Sequence, residues 1–298
     1  MNQQTLIEQF LNIRTWIGDG GRAPHKPLLL LYALGQLAKG ETKFPFVEID
    51  RTVKQLLQDF GPSRNSCHPE YPFWRLQNDH NLWEVRTSKA IRPNKSGDVS
   101  RKKLIAANAH GQFSKPVTKI LVSDQQFLGN LITSLLDHNF PETIHEDILQ
   151  SIGFDLNNST EMRKKRCPKF REKVLQAYDY RCAICGFDVR IGHFPVALEA
   201  AHIKWHVAGG PDSEENGLAL CSLHHKLFDR GAFTISKKNI MLVSDKANGT
   251  DSFDLWLMKY HGKKINSPQR VTYQPDLNFV SWHINEVFQG KYLDYSNL

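Results

Sequence analysis

Two pairs of residues in the C-terminal half of the chain have the spacing of a zinc site. Cys182 and Cys185 form a C-x-x-C knuckle, and Cys221 and His224 form a second pair with the same internal spacing. Two such pairs can close one tetrahedral site, because both side chains of a tight turn can point at a single ion. A site whose four positions are all filled by protein is structural rather than catalytic. The sequence therefore predicts a zinc ion that stabilises this region.

The residues between and just after these pairs suit the hydrolysis of a phosphodiester. That reaction needs a base that deprotonates water, a cation that neutralises charge on the phosphoryl oxygens, and a group that keeps the base aligned. His202 follows a predicted strand at residues 196–201, and Asn216 lies shortly before the second zinc pair. His225 and Asp229 are four residues apart on a predicted helix, so both side chains leave the same face and can bind one divalent ion.

Residues 180–235 resemble the HNH, or ββα-metal, endonuclease superfamily. The resemblance implies that His202 is the general base, that Asn216 orients the base or the connecting loop, and that His225 lies on the metal-binding helix. Colicin-type relatives have a second histidine on that helix, where this sequence has Asp229. Because carboxylate oxygen suits harder ions, we expect Mg²⁺ or Mn²⁺ at this site.

One position departs from the HNH pattern. The same relatives place a further metal ligand directly before the base, but the residue there is Ala201, which cannot bind a metal. Glu199 lies on the same face of the predicted strand, and we expect it to be the third ligand. Ala201 also keeps open a different class of function, a zinc-dependent DNA-binding protein whose HNH site is inactive. His193 and His206 match no position of the motif and are predicted to be bystanders.

Length and composition favour a two-domain globular protein that contacts nucleic acid. The chain has 298 residues, of which 40% are hydrophobic and 23% charged, and its net charge is +7. A basic chain attracts polyanions, although many basic proteins bind none. The longest apolar run, residues 28–34, is far shorter than the ~20 residues that span a membrane. The first residues also lack the pattern of a signal peptide, so we expect a cytoplasmic protein.

Apolar spacing and turn-forming residues divide the chain into elements. We predict helices at residues 5–13, 28–38, 50–60, 124–140 and 142–152, with Asp50 as an N-cap, and a hairpin that joins residues 71–76 to residues 82–85. Residues 86–103 are predicted to form a basic loop, and the polar stretch 155–160 a linker. The predicted domains are residues 1–155 and 156–298. The predicted fold class is α+β, with a mixed, mostly helical recognition domain followed by a ββα-metal domain that contains a structural zinc site.

Two segments of the first domain resemble the sulfur-binding domain that precedes the HNH nuclease in McrA-like type IV restriction enzymes. They are residues 21–30, G-R-A-P-H-K-P-L-L-L, and residues 71–76, Y-P-F-W-R-L. That family binds DNA in which sulfur replaces a non-bridging phosphate oxygen. Sulfur is larger and less strongly hydrated than oxygen, so a shallow apolar dimple beside a cation should favour it. We expect Tyr71 and Pro72 to form the dimple, and the residues expected to hold phosphates and read base edges are Arg22, His25, Lys26 and Arg75.

The combined resemblance predicts a type IV-like restriction endonuclease that recognises phosphorothioate-modified duplex DNA and hydrolyses phosphodiester bonds nearby. Two other nuclease functions remain open, one directed at a different modification such as methylcytosine and one with no modification preference. A duplex has two strands to cut, so we also expect a homodimer.

Overall fold

The fold is known from a computed structural model that describes residues 2–15, 17–18, 21–64, 66–154 and 168–294. The chain divides into two compact units, Met1–Met162 and Arg163–Leu298. The domain boundary predicted at residues 155–156 and the linker predicted at residues 155–160 lie outside the described residues. None of the helices in the described part of the chain combines the length and the apolar character that crossing a membrane requires.

The first unit is built around one buried helix. Its helices are α1 (Gln3–Leu11), α2 (His25–Ala38), α3 (Phe46–Phe60), α4 (Glu70–Arg75), α5 (Arg101–Ala106), α6 (Lys115–Ser123), α7 (Gln125–Asn139) and α8 (His145–Ile152). The central helix, α2, is buried along most of its length and packs against α3, α4, α7 and α8. It accommodates Pro27 because the first turn of a helix has no internal acceptors for its N–H groups. The helices predicted at residues 28–38 and 124–140 are confirmed as α2 and α7.

A small sheet and an aromatic cluster hold α4 in place. Strands β1 (Ile17–Gly18) and β2 (Gly21–Arg22) form one antiparallel pair, and strands β3 (Phe44–Pro45), β4 (Trp83–Arg86) and β5 (His110–Phe113) form an antiparallel sheet in the order β3-β5-β4. Trp83 stacks on Phe44 with ring centroids 5.7 Å apart, and its Nε1 donates to the carbonyl oxygen of Phe73 at 3.1 Å. A Cβ atom at Gly111 would lie 1.9 Å from the Trp83 ring, so only glycine fits beneath this side chain. Trp83 thereby ties α4 to the sheet.

Two details predicted for the first unit are wrong. Residues 71–75 belong to α4 and not to a strand, because Pro69 already has helical dihedral angles and starts the turn. Residues 83–86 consequently pair with β5 instead of residues 71–76. Asp50 does not cap a helix, since α3 begins at Phe46 and the Asp50 carboxylate accepts a hydrogen bond from Nε of Arg101 at 2.7 Å.

The second unit contains a strand hairpin followed directly by a helix. Its elements are α9 (Pro168–Ala177), β6 (Arg190–Ile191), β7 (Phe194–Pro195), β8 (Leu198–His202), β9 (Gly217–Cys221), α10 (Ser222–Asp229), β10 (Phe233–Ile235), β11 (Met241–Val243), α11 (Asp251–Trp256) and α12 (Leu277–Glu286). Strands β8 and β9 are antiparallel, with His202 opposite Gly217, and both contact α10. His202 is the last residue of β8, so the strand predicted before it is confirmed. The α+β fold class is also confirmed.

Helix α12 supports the end of α10. His283 is fully buried, stacks on Phe228 with centroids 3.7 Å apart, and its Nε2 donates to the Phe228 carbonyl oxygen at 3.1 Å. The hydroxyl of Thr234 donates to the other ring nitrogen at 2.9 Å. Burial lowers the pKa of His283 to about 4, so the ring is neutral and can serve as both donor and acceptor.

Candidate active site and zinc site

The four predicted zinc ligands converge in the second unit. Their ligand atoms all lie within 4.8 Å of one another. Nδ1 of His224 lies 3.1 Å from Sγ of Cys221, and the Sγ atoms of Cys185 and Cys221 are 3.9 Å apart. Zn–S bonds of about 2.3 Å place two tetrahedral sulfur ligands roughly 3.8 Å apart, which matches this spacing.

The surroundings of the cluster prepare it for a metal. Gly186, with a φ of 74°, lets the chain turn sharply behind the knuckle, where its N–H donates to the carbonyl oxygen of Cys182 at 2.9 Å. Nε2 of His224 donates to the carbonyl oxygen of Trp256 at 2.9 Å, which leaves the lone pair on Nδ1 facing the thiols. The donor set and its spacing therefore fit a structural zinc ion.

The predicted general base, His202, is held on two sides. Its ring stacks on Phe170, with centroids 3.9 Å apart and an interplanar angle of 12°. Its Nε2 lies 2.8 Å from Oδ1 of Asp212. A carboxylate can only accept a hydrogen bond, so Nε2 carries the hydrogen and Nδ1 keeps the lone pair that a base needs.

The environment of His202 keeps its imidazole neutral. Burial lowers the pKa of His202, and the Asp212 carboxylate opposes that change in part. The side chain is still 21% exposed. The ring is therefore unprotonated at neutral pH and accessible from solvent.

Asn216 holds the loop that delivers Asp212 to the base. Its buried amide accepts a hydrogen bond from the N–H of Lys204 at 2.8 Å and donates to the carbonyl oxygens of Lys204 and Pro211 at 3.0 and 2.9 Å. Gly210 is required within this loop, because a Cβ atom there would lie 1.9 Å from the Lys204 oxygen. Of the two roles that the resemblance allows for Asn216, these hydrogen bonds favour that of holding the loop.

His225 lies between two carboxylates that occupy opposite sides of its ring. Nε2 is 3.1 Å from Oδ2 of Asp229, and Nδ1 is 2.6 Å from Oε2 of Glu199. Trp205 donates from Nε1 to the other Asp229 oxygen at 3.2 Å. Although burial disfavours the charged form, Asp229 and then Glu199 raise the pKa of His225 to about 9. The predicted metal pair His225 and Asp229 is thus brought together, while Glu199 meets the nitrogen that points away from Asp229.

The predicted DNA-reading residues at the start of α2 have different surroundings. Arg22 lies on β2, but its side chain is outside the described part of the chain. Burial lowers the pKa of His25, and electrostatic interactions with Arg64 and His68 lower it further. The ammonium group of Lys26 pairs with the buried carboxylate of Asp79, and the Lys26 side chain is only 12% exposed.

The residues predicted on the second segment form part of α4. The Tyr71 side chain is exposed, whereas Pro72 is buried in the helix. The Arg75 guanidinium lies over the Tyr71 ring at 5.2 Å from its centroid. Nε and Nη2 of Arg75 each donate to one oxygen of Asp98 at 2.7 Å. The structure therefore brings Tyr71 and Arg75 together as a fixed aromatic-cation pair.

Residues 3–157 match the family described as "ScoMcrA-like, DNA sulfur-binding domain", which is just over half of the 298-residue chain. The chain belongs to this family. Residues 182–236 match the family described as "HNH endonuclease". The predicted HNH endonuclease domain is therefore confirmed, and with it the assignment to metal-dependent nucleases. No curated protein matches the chain.

Several solved structures resemble this member of the ScoMcrA-like family. The sulfur-binding domain of SprMcrA complexed with phosphorothioated DNA is 20% identical, with 51% of this chain and 94% of that chain covered and a TM-score of 0.43. The sulfur-binding domain of ScoMcrA with the same kind of DNA is 22% identical, with 49% and 96% covered and a TM-score of 0.42. The type IV phosphorothioation-dependent restriction endonuclease ScoMcrA is 20% identical, with 53% of this chain covered and a TM-score of 0.42. The matched region spans only 36% of that enzyme's length.

The structure of this ScoMcrA-like chain adds three residues around the base to those that the sequence singled out. Asp212 lies within residues 180–235, which resemble the HNH superfamily, but the pattern gave it no role. His206 was predicted to be a bystander, yet its Nδ1 lies 3.4 Å from the same Asp212 oxygen that faces His202. Phe170, on α9, gave no sequence signal, because the stack joins residues from separate elements.

Proposed function

We propose that this protein is a type IV-like restriction endonuclease that recognises phosphorothioate-modified DNA with its first unit and hydrolyses phosphodiester bonds nearby with its second. The observation that carries the proposal is the presence in one chain of a sulfur-binding-family domain and an HNH endonuclease domain. In this proposal the first domain brings the nuclease to sulfur-modified DNA, and the nuclease domain then cuts the DNA that is bound.

In the proposed reaction, His202 takes a proton from the attacking water at Nδ1. Its neutral imidazole suits this step, and Asp212 both keeps the hydrogen on Nε2 and stabilises the imidazolium that forms. Phe170 fixes the plane of the ring. Asn216 acts through the loop, since it keeps Asp212 within reach of His202.

We assign His225 and Asp229 to the binding of Mg²⁺ or Mn²⁺. The pair offers a carboxylate oxygen and, once a bound ion displaces the proton that the carboxylates favour, an imidazole nitrogen 3.1 Å away. The carboxylate oxygen is the ligand that favours Mg²⁺ or Mn²⁺. When bound, such an ion supplies positive charge against the phosphoryl oxygens. Glu199 lies at the opposite ring nitrogen, so we assign it to the orientation of His225 rather than to direct metal binding. This assignment differs from the ligand role that strand alternation alone favours.

We assign recognition of the modified phosphate to the surface of α4 and the start of α2. Tyr71 presents an exposed aromatic ring, and the guanidinium of Arg75 stands over it in an orientation fixed by Asp98. An apolar surface beside a cation suits a sulfur atom, which is polarisable and weakly hydrated. Pro72 supports this surface from within the helix, and His25 and Arg22 remain proposed contacts to the neighbouring phosphates. The Lys26 ammonium group is paired with Asp79, so we assign Lys26 to stabilising the start of α2 rather than to contacting DNA.

The proposed partner is double-stranded DNA. The net charge of +7 favours approach to a polyanion. Because cutting both strands at one encounter requires two active sites, we also propose that the protein acts as a homodimer.

A cleavage assay on one plasmid, prepared with and without phosphorothioate linkages, tests the proposal. Each form is incubated with Mg²⁺, with Mn²⁺ and with neither ion. We expect cleavage of the modified plasmid only, and only with an added ion. Equal cleavage of both plasmids would refute the specificity for phosphorothioate but not the nuclease activity. Intact plasmid under every condition would refute the enzymatic function.

A competition experiment separates sulfur recognition from recognition of another modification. Labelled phosphorothioate duplex bound to the full-length protein is challenged with unlabelled duplexes of the same sequence that carry sulfur, methylcytosine or no modification. We expect only the sulfur-modified competitor to displace the label efficiently. More efficient displacement by the methylcytosine duplex would redirect the proposal to that modification.

A further inference from the structure

Three metal-binding side chains meet on the surface beside the proposed base. One imidazole nitrogen each from His202 and His206, and one oxygen from Asp212, all lie within 4.8 Å of one another. Asp212 Oδ1 is central, at 2.8 Å from His202 Nε2 and 3.4 Å from His206 Nδ1. This trio is distinct from the Cys182–His224 zinc cluster and from the His225 and Asp229 pair.

The loop that carries two members of the trio is held rigidly. The buried amide of Asn216 forms hydrogen bonds to the backbone of Lys204, which lies two residues before His206. It also forms one to the backbone of Pro211, which directly precedes Asp212. The close approach of Gly210 to the Lys204 carbonyl keeps the intervening turn tight. Convergence of the trio is therefore set by buried contacts beneath the surface.

The donor set selects a class of metal. Two imidazoles and one carboxylate suit Zn²⁺ and similar transition ions, since a site in which nitrogen ligands outnumber oxygen ligands disfavours Mg²⁺. Zn–N and Zn–O bonds of about 2.0–2.2 Å place neighbouring tetrahedral ligands roughly 3.4 Å apart. The distance from His206 to Asp212 already has this value, and the closer contact between Asp212 and His202 needs to open by roughly half an ångström. His206 is 67% exposed, so solvent can fill the remaining coordination position.

We propose that His202, His206 and Asp212 form a second zinc-class site whose occupation switches the nuclease off. The inhibitory consequence rests on the proposed function, in which Nδ1 of His202 is the base. A zinc ion bound at Nε2 takes the lone pair of that nitrogen and displaces its hydrogen. The single hydrogen of the neutral ring then resides on Nδ1, which can no longer accept a proton from water.

Binding is tested on the full-length protein that already holds its structural zinc and is otherwise free of divalent ions. Zn²⁺ alone is titrated into wild type, His206→Ala and His193→Ala, and calorimetry follows the heat. We expect wild type and His193→Ala, which changes an exposed histidine outside the trio, to bind one further equivalent at the trio in addition to any zinc at the His225 and Asp229 pair. His206→Ala should bind it more weakly by on the order of 10- to 100-fold, since loss of a residue that merely supports a ligand already costs that much. Absence of a further equivalent in wild type, or equal affinity in His206→Ala, would overturn the site.

Inhibition is tested by adding Zn²⁺ to cleavage reactions that contain a fixed excess of Mg²⁺. We expect Zn²⁺ to slow wild type and His193→Ala at concentrations that leave His206→Ala unaffected, and additional Mg²⁺ not to restore the rate. Equal inhibition of all three proteins, or relief by Mg²⁺, would place the inhibitory ion at His225 and contradict the switch. If none of the proteins cuts DNA, the proposed nuclease function fails, whereas the calorimetric comparison still decides whether the trio binds zinc.

Discussion

The ring of Phe170 lies flat against the imidazole of His202, with 3.9 Å between their centroids. Phe170 excludes water from one face of the base, and Asp212 meets its Nε2 edge. The two contacts have opposite electrostatic effects, because burial disfavours a protonated ring and a carboxylate favours it. The pKa of His202 is therefore lowered by burial, to which the Phe170 stack contributes, and raised by the Asp212 carboxylate, with smaller effects from His206 and Asp229.

This balance predicts the acid limb of the pH–rate profile. A base must be neutral, so cleavage by wild type should be lost as the pH falls through a midpoint below 6.5, the ordinary pKa of histidine. Phe170→Ala exposes the ring and should move the midpoint to higher pH. Asp212→Asn removes the carboxylate and should move it to lower pH. The measurement is kcat against pH, with Mg²⁺ as the only added divalent ion.

Asp212→Asn should also lower the maximum rate. An amide can donate to Nε2 and so favour the tautomer whose hydrogen sits on Nδ1, and loss of a correctly poised base costs on the order of 10²- to 10⁴-fold. Shifts of the midpoint in the same direction for Phe170→Ala and Asp212→Asn would contradict this account of His202.

A zinc ion held by Cys182, Cys185, Cys221 and His224 should make the stability of the second unit dependent on metal. Structural zinc sites contribute about 10–16 kcal/mol, which matches or exceeds the ~5–15 kcal/mol that stabilises a typical domain. We expect a strong chelator, or Cys185→Ser, to abolish the thermal transition of the nuclease unit while the transition of the first unit persists. Cys67→Ser, which changes a cysteine of the first unit outside the cluster, is the matched control and should keep both transitions. An unchanged melting profile after zinc removal would show that the cluster does not hold this unit together.

Substitutions at Lys26 and at Tyr71 should affect different properties of the first unit, its stability and its recognition of DNA respectively. Lys26→Ala removes one of the two cations, Lys26 and Arg14, that pair with the buried carboxylate of Asp79. Because a buried carboxylate then loses a charged hydrogen-bond partner while Arg14 remains, we expect a loss of about 1–3 kcal/mol of unfolding free energy. Lys89→Ala, at an exposed position, should change the unfolding free energy little. Urea denaturation measures both. An equally small effect of Lys26→Ala would place Lys26 among the freely available DNA contacts.

Tyr71→Ala should act on binding instead. Its exposed ring contributes little to the core, so we expect unchanged stability and a loss of roughly tenfold in affinity for the phosphorothioate duplex, about 1.4 kcal/mol. Tyr71→Phe keeps the ring and is the matched variant that should retain affinity. Titration of labelled modified and unmodified duplexes measures the difference, and equal losses for both duplexes would remove Tyr71 from sulfur recognition.

The sequence predicted best those features whose signals are local. The spacing of Cys182 and Cys185 shows directly in the chain, as does the four-residue interval between His225 and Asp229, and the structure brings both pairs together. The stack of Phe170 on His202 joins α9 to β8, so no local pattern contains it.

The wrong secondary-structure predictions concern segments whose local sequence suits more than one structure, so that packing decides between them. The aromatic run at residues 71–76 suits a strand, but Pro69 starts a helix there, and the Trp83 indole then caps the Phe73 carbonyl. Glu199 is a different case, because its predicted role as a third metal ligand, which rests on the strand face it shares with Ala201, is not contradicted and stays a prediction. Its position at the far nitrogen of His225 depends on how α10 packs on β8, which strand alternation cannot supply.

The cleavage rate of His202→Ala, measured beside its binding affinity, tests the central claim most directly. Modified plasmid is supplied with Mg²⁺ to wild type, His202→Ala and the matched His193→Ala. We predict that His202→Ala loses on the order of 10²- to 10⁴-fold in cleavage rate while its affinity for the DNA and the rate of His193→Ala stay unchanged. A His202→Ala protein that cuts as fast as wild type would contradict the assignment of this imidazole as the base.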